Sequence, residues 1–473
     1  MADLVIKNGK VVTPCGIIEG GIAVKNGKIL KVGSEANLPS AERTVDANGN
    51  FVIPGFIDVH THIGIGAPIG PAFDKRWQSQ FTTETEGAIH GGVTSLRTTL
   101  WAKESYLPLI DKYIAWGEQN SYIDFGIYPC LIAPAHIDEL VPMAERGMPS
   151  WKCFYDPYEA EEGEQVFGRP AHTDAGKLYR AMAIYAEWGY PGLVMIHAEN
   201  YALYTMLQAK LIKEGRKDLK AWSDSRPNIC EAMMIESAAM IAEETGGSLY
   251  IVHMSTGEGV DICKKYQDKG VNVIAETLPC FLTHTKHVHD EFGVWGKINP
   301  PFREKSDIVR MFEGIRTGVV TNIGTDHCAY TRKEKEQEVG KYGDVWKVQP
   351  GLSGGMEHWL PIMFTECFNK GRLSVEQIVK VCCENNAKVF GLYPKKGAIQ
   401  EGSDADLVIV DPDKEGKVDE NFYHCINKDY SVYWGWKLKG MPVMTIVGGR
   451  IMVEDGQTIG KPGYGRFLPS RRY

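Results

Sequence analysis

A (β/α)8 barrel carrying a small β-sandwich built from both chain ends is the fold this sequence predicts, on three observations. Apolar, β-branched runs of strand length recur eight times between Phe51 and Thr325, separated by stretches of helical length. Short β-rich segments punctuated by Gly-containing turns fill both termini. Histidines, a lysine and an aspartate stand at the C-terminal ends of several runs, the face on which parallel barrels carry out chemistry.

Taken in order, residues 1–50 read as short strands at Leu4–Lys7, Val11–Thr13, Gly21–Lys25 and Ile29–Val32, with Asn8-Gly9 and Asn26-Gly27 as hairpin signals. The barrel strands are expected at Phe51–Val59, Val93–Thr99, Phe125–Ile132, Ser150–Tyr155, Gly192–His197, Ser248–His253, Val271–Glu276 and Gly318–Thr325. Between them lie helix-like segments such as Tyr106–Gln119, Asp174–Trp188, Glu231–Glu244 and Lys305–Arg316. A doubly wound open sheet competes with the barrel, but no GxGxxG follows an early strand. Val375–Leu392 reads as helical; from Gly397 the texture returns to β, at Asp404–Val410 and Val443–Val447. The expected division is residues 1–53 for the first part of the sandwich, 54–390 for the barrel, and 391–473 for the second part with an oligomerisation tail.

Composition narrows the function. The net charge is −8 with both signs interspersed, so nucleic acid and anionic membrane surfaces are not expected partners. The N-terminus lacks a secretory pattern and no run of about 18 uncharged apolar residues occurs, so no spanning helix is expected. Eleven scattered cysteines without a CxxC pair fit reduced thiols in a cytoplasmic enzyme.

The stretch 51–64 organises the rest. Its strand ends in His60-Thr61-His62, and a period of two puts both imidazoles on one face, half of a metal site. The fourth run carries Lys152, the fifth His197, the sixth His253 and the eighth Asp326. Singly, each reads as structural; placed together on one rim, four imidazoles and a carboxylate suit Zn²⁺ or a similar divalent ion. Buried lysines are rare, so Lys152 needs a function. His284, His287 and His289 form an HxxHxH cluster that reads as a solvated loop. Trp101, Trp151 and Trp295 are candidates for an aromatic pocket wall, although such residues usually serve packing.

Over nearly its whole length the chain resembles the amidohydrolase superfamily and, within it, hydantoinase/dihydropyrimidinase-like cyclic amidohydrolases. The markers are PGFIDVHTH at 54–62, GGVTS at 91–95, SWKCF at 150–154, IHAE at 196–199, VHMS at 252–255, NPPFR at 299–303 and GTDH at 324–327, with NNAKVFGLYPKKGAIQEGSDADLVIVDP at 385–412. The resemblance implies two divalent ions, with zinc expected. His60, His62 and Asp326 would hold one, and His197 and His253 the other. Lys152, carbamylated by CO₂, would bridge them, since a free ammonium has no acceptor. A hydroxide between the ions would attack a ring amide carbonyl, with Asp326 as base and then acid. A tyrosine would support the oxyanion.

Departures from the family pattern bear on the substrate. The tyrosine is expected five residues after the lysine, where Pro157 stands; Tyr158 is favoured for the role over Tyr155. Asn299 replaces the usual substrate-contacting Ser, and Gly351 lies where an Asn is usual. The Arg that marks dihydroorotases is missing after His62. The expected activity is hydrolytic opening of a cyclic amide, imide or ureide. The alternatives are an allantoinase, a hydrolase of an unusual acyclic amide or carbamate, and a non-enzymatic scaffold related to dihydropyrimidinase. The closing GYGRFLPSRRY resembles a segment that packs on a neighbouring subunit, implying a homotetramer or dimer.

Overall fold

The apolar run that starts at Phe51 breaks at Pro54-Gly55 and serves two sheets. A computed structural model describes residues 1–155 and 173–472. In it β5 (Phe51–Pro54) and β6 (Phe56–His62) are separate strands. Gly55 makes the crossing: its N–H donates to Asp406 O, while Phe56 N–H donates to Gly92 O. A Cβ on Gly55 would sit 2.2 Å from the Thr94 side chain, so only glycine fits there.

β5 pairs with β1 (Ala2–Thr13) on one side and with β15 (Leu407–Lys417) on the other. With β2 (Gly16–Lys25), β3 (Lys28–Gly33), β4 (Ala41–Asp46), β16 (Lys437–Val447), β17 (Arg450–Glu454) and β18 (Gln457–Thr458) they form one nine-stranded sheet. Both chain ends thereby enclose one apolar core, including Leu4, Ile6, Ile22, Leu407, Ile409 and Ile446. Asn26 and Gly27 both have positive φ (51° and 75°) and turn β2 into β3, as a two-residue hairpin requires. Asn8-Gly9 does not make the expected hairpin. Asn8 (φ 54°) forms a bulge within a single continuous β1, and the pairing with β2 resumes at Gly9. The sequence reading lacked β4, whose Ala-Glu-Arg-Thr-Val-Asp buries only Val45 and so shows no apolar alternation.

The barrel strands are β6, β7 (Val93–Leu100), β8 (Asp124–Pro129), β9 (Ser150–Tyr155), β10 (Leu193–Ala198), β11 (Leu249–Ile251), β12 (Val273–Thr277) and β13 (Val320–Ile323). They are parallel: β6 to β8 in one ladder, β9 to β13 in another, joined by a bridge from Cys130 to Lys152. The ring closes where β14 (His327–Cys328) pairs with β6 and Thr325 N–H donates to Asp58 Oδ1 (3.1 Å). Asn386 locks the seam from below, donating to Ile57 O (2.7 Å) and Ile323 O (2.9 Å). It lies in the expected C-terminal helical stretch, which runs from Val375 to Val389 with π geometry at Lys380–Glu384.

The helices sit close to their expected spans. Asp174 caps the helix Ala175–Trp188 by accepting from Lys177 N–H, and Gly318 (φ 79°) ends Lys305–Thr317 in the left-handed conformation favoured by glycine. No helix among the described residues is long and apolar enough to cross a membrane.

Candidate metal centre

Strand alternation decides which residues reach the barrel mouth. In β9, Trp151 and Cys153 pack outward among the helices, while Lys152 and Phe154 turn into the pocket. In β10, Val194 and Ile196 pack outward, and His197 follows Leu193 and Met195 inward. Continued alternation after Ile251 would turn His253 outward; its φ of 40° redirects it to the pocket. Asp326 likewise has φ 50°. Left-handed backbone is uncommon outside glycine, and it clusters at functional sites.

The side chains converge in two groups. His62 Nε2 lies 2.9 Å and His60 Nε2 3.3 Å from Asp326 Oδ1. His197 Nδ1 lies 3.0 Å from His253 Nε2. Between the groups, Lys152 Nζ is 3.2 Å from His60 Nε2. All are buried.

The far nitrogen of three of the four imidazoles is held in place: His60 Nδ1 by Glu276 Oε1 (2.9 Å), His62 Nδ1 by Thr99 Oγ1 (2.9 Å) and His197 Nε2 by Glu199 Oε2 (2.9 Å), whereas His253 Nδ1 is buried without a hydrogen-bond partner. Such outer contacts set the tautomer and aim the other nitrogen at a metal. Burial, aided by the neighbouring Lys152, holds His60 and His253 well below the usual histidine range, so both are neutral donors. Burial pushes Asp326 up, but the imidazoles of His60 and His62 more than offset this and leave its carboxyl below the usual range. Burial brings Lys152 down to about 8. The ligand atoms of His60, His62 and Asp326 all lie within 4.8 Å of one another. Two imidazoles and an ionised carboxylate at this spacing fit a divalent cation.

Around them Ile65, Trp101, Phe154, Asn299, Cys328, Pro350 and Gly351 line the pocket. Asn299 Nδ2 is 3.5 Å from His197 Nε2. Tyr155 turns away, its hydroxyl 2.8 Å from Ser237 Oγ, because it shares the outward face of β9 with Trp151 and Cys153. Tyr158 lies outside the described residues. Of the three tryptophans only Trp101 reaches the pocket; Trp151 packs on Tyr106 outside the barrel, and Trp295 Nε1 donates to Glu336.

The expected solvated loop is corrected at His284, which is buried against Phe302, Tyr433 and Trp436, with Nε2 donating to Val432 O (2.9 Å). His287 is exposed, and the side chain of His289 is outside the described set. The sequence reading missed Glu276 and Glu199. Glu276 was legible by the same rule as the ligands, being near the end of the seventh strand; Glu199 stands two residues beyond His197.

A parallel barrel whose mouth gathers four imidazoles, a lysine and a carboxylate defines a metal-dependent barrel hydrolase. Residues 209–452 match the amidohydrolase family model. The chain is 33% identical over 482 residues to an L-hydantoinase from Paenarthrobacter aurescens, covering 100% of this chain and 99% of the relative. It is 32% identical to a D-hydantoinase from Ralstonia pickettii, with the same coverage. The solved L-hydantoinase (dihydropyrimidinase) from Arthrobacter aurescens superposes with a TM-score of 0.89 at 31% identity, over 99% of this chain and 100% of that one. The chain belongs to the amidohydrolase family, in its hydantoinase-like branch.

Proposed function

We infer that this protein hydrolyses a carbon–nitrogen bond of a cyclic amide, imide or ureide in a metal-dependent reaction. The carrying observation is the complete rim set, His60, His62, Lys152, His197, His253 and Asp326, in a chain aligned end to end with hydantoinases. Those relatives favour a cyclic substrate over the allantoin and acyclic alternatives, and a scaffold would have no use for the buried polar set.

His60, His62 and Asp326 would hold one divalent ion, zinc by donor type, and His197 and His253 a second. Metal ions there supply Lewis acidity and make water a competent nucleophile near neutrality. Lys152, lowered to about 8, has more free amine than an ordinary lysine. Its nitrogen would add to the carbon of CO₂ and lose a proton, giving an anionic carbamate whose oxygens would help hold the divalent ions. Asp326 takes the proton of the attacking water and passes it to the ring nitrogen as the C–N bond breaks and a C–O bond replaces it. Asn299 Oδ1 is buried without a hydrogen-bond partner and is suited to accept a ring N–H. Tyr158 is assigned the oxyanion contact from its sequence position alone. We further propose that the enzyme is cytoplasmic and assembles as a homotetramer or dimer.

The test is metal content per chain beside turnover of dihydrouracil, hydantoin, 5-phenylhydantoin, allantoin and a simple acyclic amide. Two metals with ring opening are expected. Two metals with acyclic turnover alone would overturn the cyclic assignment, and neither metal nor turnover after supplying zinc and bicarbonate would return the scaffold reading.

A further inference from the structure

Beside the catalytic pocket, across Pro350, lies a larger chamber of about 720 Å³, within the range of small-molecule sites. The wall between them is short: Gly351 N–H donates to Lys297 O (3.0 Å), and Pro350 lines both spaces. Tyr204, Trp222 and Trp346 give the chamber aromatic faces. Its charged lining residues are Arg226, Lys297 and Lys347, with no carboxylate among the described lining residues.

Arg226 is the unusual member. Its side chain is only 2% exposed, with the guanidinium carbon 3.4 Å from the Trp222 ring centre and 4.2 Å from that of Tyr204. Nη1 donates to Ser225 Oγ (2.8 Å). Nε has no hydrogen-bond partner, its nearest acid being Glu199 Oε1 at 3.7 Å. Glu199 holds His197 through Oε2, and its Oε1, without a hydrogen-bond partner, makes only this long ion pair with Arg226. A buried guanidinium short of acceptors is costly, and a carboxylate offers the planar pair of oxygens that its fork matches. Lys297 is already occupied: Nζ donates to Val345 O and Val348 O and lies 3.8 Å from the Trp222 ring centre. It shapes the wall; Lys347 is 70% exposed and lies 3.9 Å from Asp344 Oδ2, which leaves Arg226 as the buried anion contact.

We propose that this chamber is a second ligand site, selective for an organic carboxylate bearing an aromatic ring, with Arg226 taking the carboxylate and Trp346 the ring, the faces of Trp222 being covered by Arg226 and Lys297. It is separate from the ring-opening pocket and does not depend on which ring that pocket accepts.

Phenylacetate is the probe, titrated into the metal-loaded enzyme by calorimetry and tryptophan fluorescence, with phenylacetamide as neutral isostere and inorganic phosphate as the bare anion. One saturable site is expected for phenylacetate, with the amide and phosphate at least roughly tenfold weaker, the loss of a charge-assisted pair. Arg226→Met, which keeps bulk over Trp222, should weaken phenylacetate by about tenfold on the same grounds. Trp346→Ala, at the rim and away from Arg226, should weaken it severalfold and tests the site even if Arg226→Met folds poorly. Equal binding of acid and amide, phosphate binding as tightly as phenylacetate, or no saturable binding would overturn the proposal. Binding unchanged in both variants but lost on metal removal would place the carboxylate at the metal centre and overturn it equally.

Discussion

Glu276 Oε1 lies 2.9 Å from His60 Nδ1 and 3.1 Å from His253 N, so one carboxylate oxygen holds a residue from each of the two side-chain groups at the barrel mouth. Its other oxygen accepts from Tyr250 OH (2.7 Å), and burial pushes its carboxyl up to about 8. Replacing Glu276 with Leu frees the His60 ring and the His253 backbone together. Metal affinity, measured by competition with a chelator, should fall roughly tenfold to a hundredfold, as for other outer contacts of metal-binding histidines. The circular-dichroism spectrum should be unchanged. Undiminished metal retention would show that Glu276 does not orient His60.

Lys152 should carry a carbamate. Enzyme loaded with metal in ¹³C-bicarbonate should show one protein-bound carbamate resonance that is missing from Lys152→Met. Because the amine sits at about 8, assembly of the labelled centre should speed up as pH rises through that value, where the neutral nucleophilic amine replaces the ammonium. An unlabelled Lys152 in an active enzyme would remove the carbamate from the mechanism.

Lys335, fully buried, donates to Lys297 O (2.6 Å), Gln349 O (3.0 Å) and Gly351 O, pinning the Pro350–Gly351 wall of the pocket. Lys335→Met leaves three carbonyls without that donor and should destabilise the fold by about 3 kcal/mol. The enzyme should keep its metal but show KM raised severalfold with a smaller change in kcat. If KM stays constant, the pinned wall does not contribute to substrate binding.

His424 Nδ1 lies 2.6 Å from Glu357 Oε1, and that hydrogen bond raises the imidazole above its ordinary value of 6.5. His90, stacked on it with ring centres 3.4 Å apart, is driven by burial down to about 3 and stays neutral. The ion pair's contribution to stability is therefore complete below pH 6.5 and lost as pH rises through the higher folded value of His424. Denaturant titrations should show the advantage of wild type over His424→Asn shrinking from pH 6 to pH 9. A gap that widens with pH would reverse the assigned charge.

The tail has intramolecular work as well as its proposed role between subunits. Leu468 N–H donates to Phe125 O (2.7 Å), and Phe467 packs edge-on against Phe125 at the base of β8. Truncation after Gly460 should lower the oligomeric mass in light scattering and also the melting temperature. An unchanged mass would refute the tail's part in assembly, whatever happens to stability.

Much of this protein was legible along the chain because its signals are local. Strand runs buried on both faces read as apolar blocks, and a period of two predicted that His60 and His62 share a face. What the sequence could not display depends on distant partners or on backbone torsion. The polar strand β4 exists because it pairs with β1. Asn8 became a bulge because β1 runs on through it to pair with β2 beyond. His284 reads as a loop residue in sequence but is enclosed by Tyr433 and Trp436, far along the chain. The sequence by itself determined the barrel, the terminal sandwich and the metal-binding donor types, since these follow from periodicity and side-chain chemistry. Tertiary structure alone decided that Tyr155 faces away, that a φ of 40° brings His253 in, and that Glu276 contacts both His60 and His253. Those outcomes rest on contacts between segments remote in sequence and on single torsions, which composition and spacing do not encode.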